Sequence, residues 1–452
     1  MATSSMTDSS ALQPYLAQYE ALKAQVQPPA AGWLDGLRDR GMERVAEEGL
    51  PTPRLEAWKY TNLRPMEKLD FAPPPANDAL RIDRIPSLQP AAETTHRLVF
   101  VNGRFRDDLS HLGALPEGVT VGSLAALLRD APQRLEPHLG RLGRLDQQPM
   151  MALNTALMED GFVLLVDDGV ILDEPIDVVF VAAAERQALA FHPRNLMVLG
   201  RDSRATVLEH HAGQGDGATL SNLATEGHIG AGARLWHYRK QEERRSAFHL
   251  SSAQFRLERD ASYDSFVLST GARLSRSEIK VELVGEGAEC HLNGAYLMRG
   301  EQHCDTTTVV EHKVPHTTCR EMFRGVLDDS ARAVFQGRIV VEPGAQKTDG
   351  HQLCQTLILS DRAEIDAKPE LEIYADDVRC SHGATAGELD DAALFYLRSR
   401  GIPEARARHI LIESFLGEAV EKIAAEGVCP ALLSSVANWL AQTHDETHGE
   451  AA

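Results

Sequence analysis

The 452-residue chain is 43% hydrophobic and 25% charged, the composition of an ordinary globular protein with two or three domains. Its 66 acidic and 46 basic residues give a net charge of -20, which disfavours nucleic acid and anionic membrane surfaces as partners. Six cysteines with no C-x-x-C pair argue against a zinc ribbon, a thioredoxin motif or a disulfide framework.

Met1 to Ser10 is small and polar, lacking the basic patch and apolar stretch of a secretory signal, and no apolar run approaches a bilayer span. A cytoplasmic protein is expected. Leu12, Tyr15, Tyr19, Leu22 and Val26 recur at spacings of three and four, which predicts a helix stopped by Pro28-Pro29. A second helix is predicted from Gly32, carrying Trp33, Leu37 and Val45 and ending near Gly49-Leu50-Pro51. Pro73-Pro74-Pro75 reads as a stiff linker. Arg97–Val101 followed by Asn102-Gly103 predicts a strand entering a type I′ hairpin. These elements divide into a helical region, 1–70, and a linker with a mixed α/β segment, 71–159.

From about residue 160 short strands follow one another: Phe162–Val166, Ile176–Val181, Asn195–Leu199, Ala205–Glu209, Ile279–Val284, Arg338–Val341 and Thr356–Leu359. Ala205, Ala233, Ala261 and Ala288 recur in similar turns about 28 residues apart, and Ala333 and Ala363 sit in like settings. A repeat of that length built from strands predicts a β-solenoid over 160–387, with a β-sandwich as the alternative. Small residues at the corners let each coil turn tightly onto the next. After Glu388 the pattern is helical again, to 452. Asp390-Asp391 opposes a helix dipole, Gly401-Ile402-Pro403-Glu404 is a stop and restart, and Ile412, Leu416, Ala419, Val420 and Ile423 form one apolar face. A last helix is expected from Cys429-Pro430 to about Trp439-Leu440, with a polar, frayed end from Thr443.

No P-loop, H-E-x-x-H or G-x-S-x-G sequence occurs, and Gly230-Ala231-Gly232-Ala233 lies among strands with no helix after it. His210-His211 would point to opposite faces of a strand and cannot readily share an ion. Two clusters carry chemistry. Glu311-His312-Lys313-Val314-Pro315-His316 is preceded by His303 and Asp305, and His312 and His316 would converge around Pro315; the alternative is a rung of hydrogen-bonded histidines. Cys380 and His382 share one face of a strand, about 7 Å apart, and thiolate and imidazole are donors that iron favours. Arg379 is positioned to favour a thiolate. Two donors do not complete an iron–sulfur site, so further ligands are expected from elsewhere, including another subunit.

The run Asp376-Asp377-Val378-Arg379-Cys380-Ser381-His382-Gly383-Ala384-Thr385 resembles a sequence of the SufB/SufD family of iron–sulfur cluster scaffold proteins. Similar stretches are Glu56–Thr61, Asp305–Thr308, Lys347–Gly350, Leu357–Ser360, Pro369–Ile373 and Leu394–Ile402, so the likeness spans roughly 54 to 425. The resemblance implies a right-handed parallel β-helix flanked by helical regions. It implies pairing with a SufB-like paralogue, and a SufC-like ATPase held by Leu394, Phe395, Tyr396, Leu397, Arg400, Gly401 and Ile402. It further implies a transient iron–sulfur cluster at the SufB–SufD interface beside Cys380 and His382, with no catalysis and no nucleotide on this chain. A SufD-like rather than SufB-like member is expected because no cysteine precedes Cys290. Alone, the chain would monomerise or form homodimers. His351 and Cys354 look atypical and would add ligands only if they lined the solenoid. Two rivals stand: a metal-dependent enzyme on a β-solenoid using His303, His312 and His316, and a purely structural partner in which Cys380 and His382 only pack.

Overall fold

The computed structural model describes residues 11–25, 32–75, 80–88, 95–423 and 427–448; Val26 and Pro28-Pro29, read as the end of the first helix, lie outside the described residues. The helices Gln13–Gln25 and Gly32–Glu48 form as expected, the second closed by Gly49 at φ 74°. It crosses the fully buried helix Pro149–Leu157 at close range. A Cβ on Gly41 would stand 2.8 Å from the Ala152 carbonyl oxygen, so only glycine permits that approach.

The rest is a parallel β-solenoid of about eight turns with helical regions at both ends. Strands of about ten residues alternate between an eleven-stranded and a ten-stranded sheet, each strand pairing in parallel with the one a full coil away. Phe255, Tyr263, Cys290, Leu292, Phe323, Phe335 and Ile339 fill the space between the sheets. Such a core forms only by stacking, since no single coil can bury its own inward face.

The repeat rests on the corners. Ala233, Ala261 and Ala288 are fully buried and stacked, each carbonyl accepting from the next coil. Ala205 is two residues out of step: it pairs with Leu235, and Ser203 takes the corner. One residue earlier, Asp202, Gly232, Asp260, Gly287, His316 and Lys347 all have φ between 54° and 76°, so each coil turns through a left-handed residue. Glycine reaches that region at low cost, and asparagine, aspartate and histidine more readily than other residues; Lys347 occupies it because the stack imposes it.

The two ends differ. At the N-terminal end the eleven-stranded sheet finishes in His96–Val101, which turns through Asn102 (φ 49°) and Gly103 (φ 79°) into the antiparallel Arg104–Phe105, the expected hairpin. The other sheet finishes in the antiparallel pair Val119–Ser123 and Phe162–Val166. At the C-terminal end the last strands, Glu364–Ile373 and Arg379–Gly387, each pair on one side only, and most of their residues are exposed or half-buried.

A buried ion pair ties the N-terminal cap to the coils. Arg194 donates to Glu226 at 2.7 Å, both side chains being fully buried, and the amides of Gly140, Arg141 and Leu142 donate to the same carboxylate at 2.7–2.9 Å. Burial pushes the Glu226 carboxyl up, but Arg194 and these amides outweigh it and hold it below the usual range. Glu226→Gln is expected to cost about 3–5 kcal/mol by stranding a buried guanidinium. Because the folded pKa is depressed, the stabilisation is present above the ordinary glutamate pKa and lost as pH falls through the folded value. Denaturant melts of the two proteins should therefore differ most near neutrality and converge on acidification. A gap that grows in acid would refute this account.

Candidate functional site

The segment read first as Glu56-Ala57-Trp58-Lys59-Tyr60-Thr61 is a strap across the outer face of the ten-stranded sheet. Trp58 is buried under the Arg276 guanidinium, 4.1 Å from its ring centre. The Ala57 carbonyl accepts from Arg276 and Gln336, Thr61 donates to Asp305 and meets His303 at 3.0 Å, and Lys368 donates to Glu56 at 2.6 Å. The strap thus reaches the terminal strand Glu364–Ile373. The role of Asp305 in the Asp305–Thr308 stretch is to hold it.

The histidine cluster does not assemble. His303 and His312 stand at opposite ends of the strand His303–His312, roughly 30 Å apart at ~3.3 Å per residue. His303 is engaged by the strap. His312 is paired with Thr317 at 2.7 Å, and burial lowers its pKa to about 4. His316 is a left-handed corner residue, exposed to solvent, so the turn that was to bring it to His312 carries it outward. His210 and His211 also have separate partners, Glu242 and Glu209. Among the described residues no three His, Cys, Asp or Glu side chains are grouped to hold a metal ion.

Cys380 and His382 lie on Arg379–Gly387, the last strand of the eleven-stranded sheet. Register places Cys380 beside Gly350 and His382 beside Gln352. The preceding residues of the first row, Cys290 and Cys319, are fully buried in the core, and Cys380 packs half-buried against the same core. In the second row Glu321 accepts from Thr308 at 2.5 Å and Gln352 at 3.3 Å inside the solenoid. Burial raises its carboxyl to about 7. The two rows end at Cys380 and His382, on the inward side of the final coil, where no further strand among the described residues covers them. His382 is exposed.

One sequence expectation about this strand, the role of Arg379, needs correction. Burial pushes the Cys380 thiol up, opposed by the Gly350 amide; Arg379 points to the other face and does not favour the thiolate. His351 also faces outward, paired with Asp349 at 2.8 Å and Ser381 at 2.5 Å, in a cleft of about 730 Å³ that His382 and Lys422 rim. Cys354 does line the core, 4.0 Å from the Tyr296 hydroxyl, and is buried away from the mouth.

Beyond the last strand Asp390 caps the helix Asp391–Ser399, accepting from the amides of Ala392 and Ala393. Gly401 (φ 84°) ends the helix, and its next residue, Ile402, donates back to Leu397. None of this helix is buried. Leu394, Leu397 and Ile402 are half-buried, whereas Phe395 and Tyr396 are 74% and 57% exposed, with Arg400 stacked on the Tyr396 ring. The helix Glu404–Val420 restarts after Pro403, which is its N-cap. Its buried face, Ile412, Leu416, Ala419 and Val420, covers Leu268, Leu297 and Val326 of the solenoid. Arg324 fastens it, stacking under Phe415 and pairing with Glu418. The final helix, Val428–His448, runs past the expected end near Leu440. No helix among the described residues is long and apolar enough to cross a membrane.

Two family models match: the SUF system FeS cluster assembly SufBD core domain over residues 180–415, and the SufBD protein N-terminal region over 9–178. An iron–sulfur cluster assembly SufBD family protein of Synechocystis is 30% identical, covering 90% of this chain and 91% of its own length. The iron–sulfur cluster assembly protein SufD of Escherichia coli is 29% identical over 96% of this chain and 97% of its own. The SufD of Bacillus subtilis is 27% identical over 91% and 94%.

Proposed function

Because this chain belongs to the SufBD family of iron–sulfur cluster assembly proteins and is of the SufD type, we propose that it is a non-catalytic scaffold subunit whose open solenoid end pairs with a SufB-type paralogue. Cys380 and His382 supply part of the ligand set at that seam, and iron and sulfide are cargo assembled there. A SufC-type ATPase docks on the helix Asp391–Ser399.

The open end carries this reading. A stack of coils needs its terminal coils capped to stay soluble, and unpaired strand edges invite another strand. The N-terminal end has helices and antiparallel strands over it. The C-terminal end has two bare strand edges, and the candidate ligands lie on one of them. Two donors leave an iron site incomplete, which fits a site finished by a second chain. In the proposed cycle the ATPase subunits close on one another, and the pull passes through the helix Glu404–Val420, anchored at Arg324, into the coils. A stacked solenoid transmits such a rotation as a rigid body.

The test uses the strand's own polarity. The Arg379 amide donates to Thr348 within the sheet, so the amides of residues 380, 382 and 384 face the free edge. Ala384→Pro removes one outward donor and no bond of this chain. Co-purification with SufB-type and SufC-type subunits should show loss of the paralogue and retention of the ATPase. A paralogue that still binds with unchanged affinity would place the seam elsewhere.

A further inference from the structure

Across the eleven-stranded sheet, one inward-facing row reads Tyr263, Cys290, Cys319, Gly350, Cys380 in register. Gly350 is the single member without a side chain. A Cβ there would stand 3.4 Å from the Cys319 sulfur, 3.5 Å from the Cys380 sulfur and 3.5 Å from a methyl of Ile339. The backbone therefore leaves a notch walled by two thiols and a hydrocarbon, with the half-buried Cys380 as its wall on the side of the mouth. By these distances the two sulfurs are at most about 7 Å apart.

Two ordinary fates of neighbouring thiols are closed to this pair. Their Cα atoms are two strands apart, about 9.6 Å, beyond the ~7 Å limit for a disulfide. No third His, Cys, Asp or Glu joins them to hold a metal ion among the described residues. What the notch does fit is one additional sulfur on Cys380, at an S–S distance of about 2.05 Å, pointing toward Cys319.

We propose that the notch over Gly350 holds a single sulfane sulfur, carried as a persulfide on Cys380 and screened by Cys319 and Ile339. The thiolate of Cys380 attacks the terminal sulfur of a donor persulfide, R–S–SH. A bond forms between the Cys380 sulfur and that terminal sulfur as the donor's S–S bond breaks. The donor leaves as R–S⁻ and takes the proton, with no net oxidation or reduction. The same exchange in reverse delivers the sulfur to an acceptor thiolate at the mouth. Because Cys319 is too far away to displace it as sulfide by forming a disulfide, the persulfide persists. Its purpose rests on the seam reading above; its chemistry does not.

The experiment takes the full chain alone, treats it with glutathione persulfide, removes the reagent and follows each cysteine by alkylation and peptide mass over time. Cys429, half-buried at the start of the final helix, is the internal control. Cys380 should keep one added sulfur at least about tenfold longer than Cys429. Gly350→Ala places a methyl at ordinary contact distance from both thiols, so it should melt like wild type yet lose that advantage. Cys319→Leu fills the notch from the other side and should do the same if Gly350→Ala fails to fold. Equal lifetimes on Cys380 and Cys429, or full retention in a folded notch-filling variant, would overturn the site. Such a result would leave the seam reading standing, because complex formation and cluster output are measured separately.

Discussion

Replacing His382 with alanine is expected to leave the complex of this chain with its paralogue and ATPase intact while lowering cluster formation in cells at least about tenfold. The imidazole is exposed, lies on the bare terminal strand, and makes no hydrogen bond among the described residues. Its removal strands no partner and opens no cavity, so the melting temperature should stay within the range of a neutral surface change. What is lost is a nitrogen donor at the end of the row Glu321, Gln352, His382. His382→Cys keeps a soft donor and should restore part of the output. Unimpaired cluster formation by His382→Ala would remove this residue from the assembly site. A broken complex would instead make it a packing residue of the seam.

Much of this architecture is legible in the sequence because each coil obeys the same local rule. Ala233, Ala261 and Ala288 recur because a corner that stacks on its neighbour is fully buried and takes only small side chains, Ser203, Thr317 and Thr348 holding the same place in other coils. The Asn102-Gly103 turn is a two-residue decision and was readable for that reason. The strand limits were not. His303–His312 and Arg332–Val341 look too polar for buried strands because the strap at Glu56–Thr61 covers their outer face, and that partner is more than 200 residues away. The left-handed corners at His316 and Lys347 are not legible either, since the stacking of the coils and not the local sequence sets them; missing the first of them is what made a His303, His312 and His316 cluster conceivable. Cys380 and His382 were found as a spaced pair. Their surroundings were not: that Gly350 opens a notch beside one of them, and that burial raises the thiol, depend on what strands a coil away bring to the same row.

The second large effect is expected on the helix that follows. Phe395→Ala combined with Tyr396→Ala should weaken binding of the ATPase subunit by 2 kcal/mol or more, about 30-fold in Kd, with no loss of fold. Two exposed aromatic rings side by side, one stacked with Arg400, are the side-chain types that anchor interfaces. The helix that presents them needs nothing from their burial, being held by Asp390 at its start and Gly401 at its end. Deleting everything after Gly387 would be the blunter test and a poorer one. It would also remove the helix Glu404–Val420 and expose Leu268, Leu297 and Val326, so lost binding would mix with lost solubility. The point variants separate the two, because the covering face of Ile412, Leu416 and Ala419 is untouched. Titration of the ATPase subunit against wild-type and doubly substituted chain decides the matter: unchanged affinity moves the contact off this helix. Weakened binding with normal pairing to the paralogue would mean that docking of the motor and closure of the seam are carried by separate surfaces joined through Arg324.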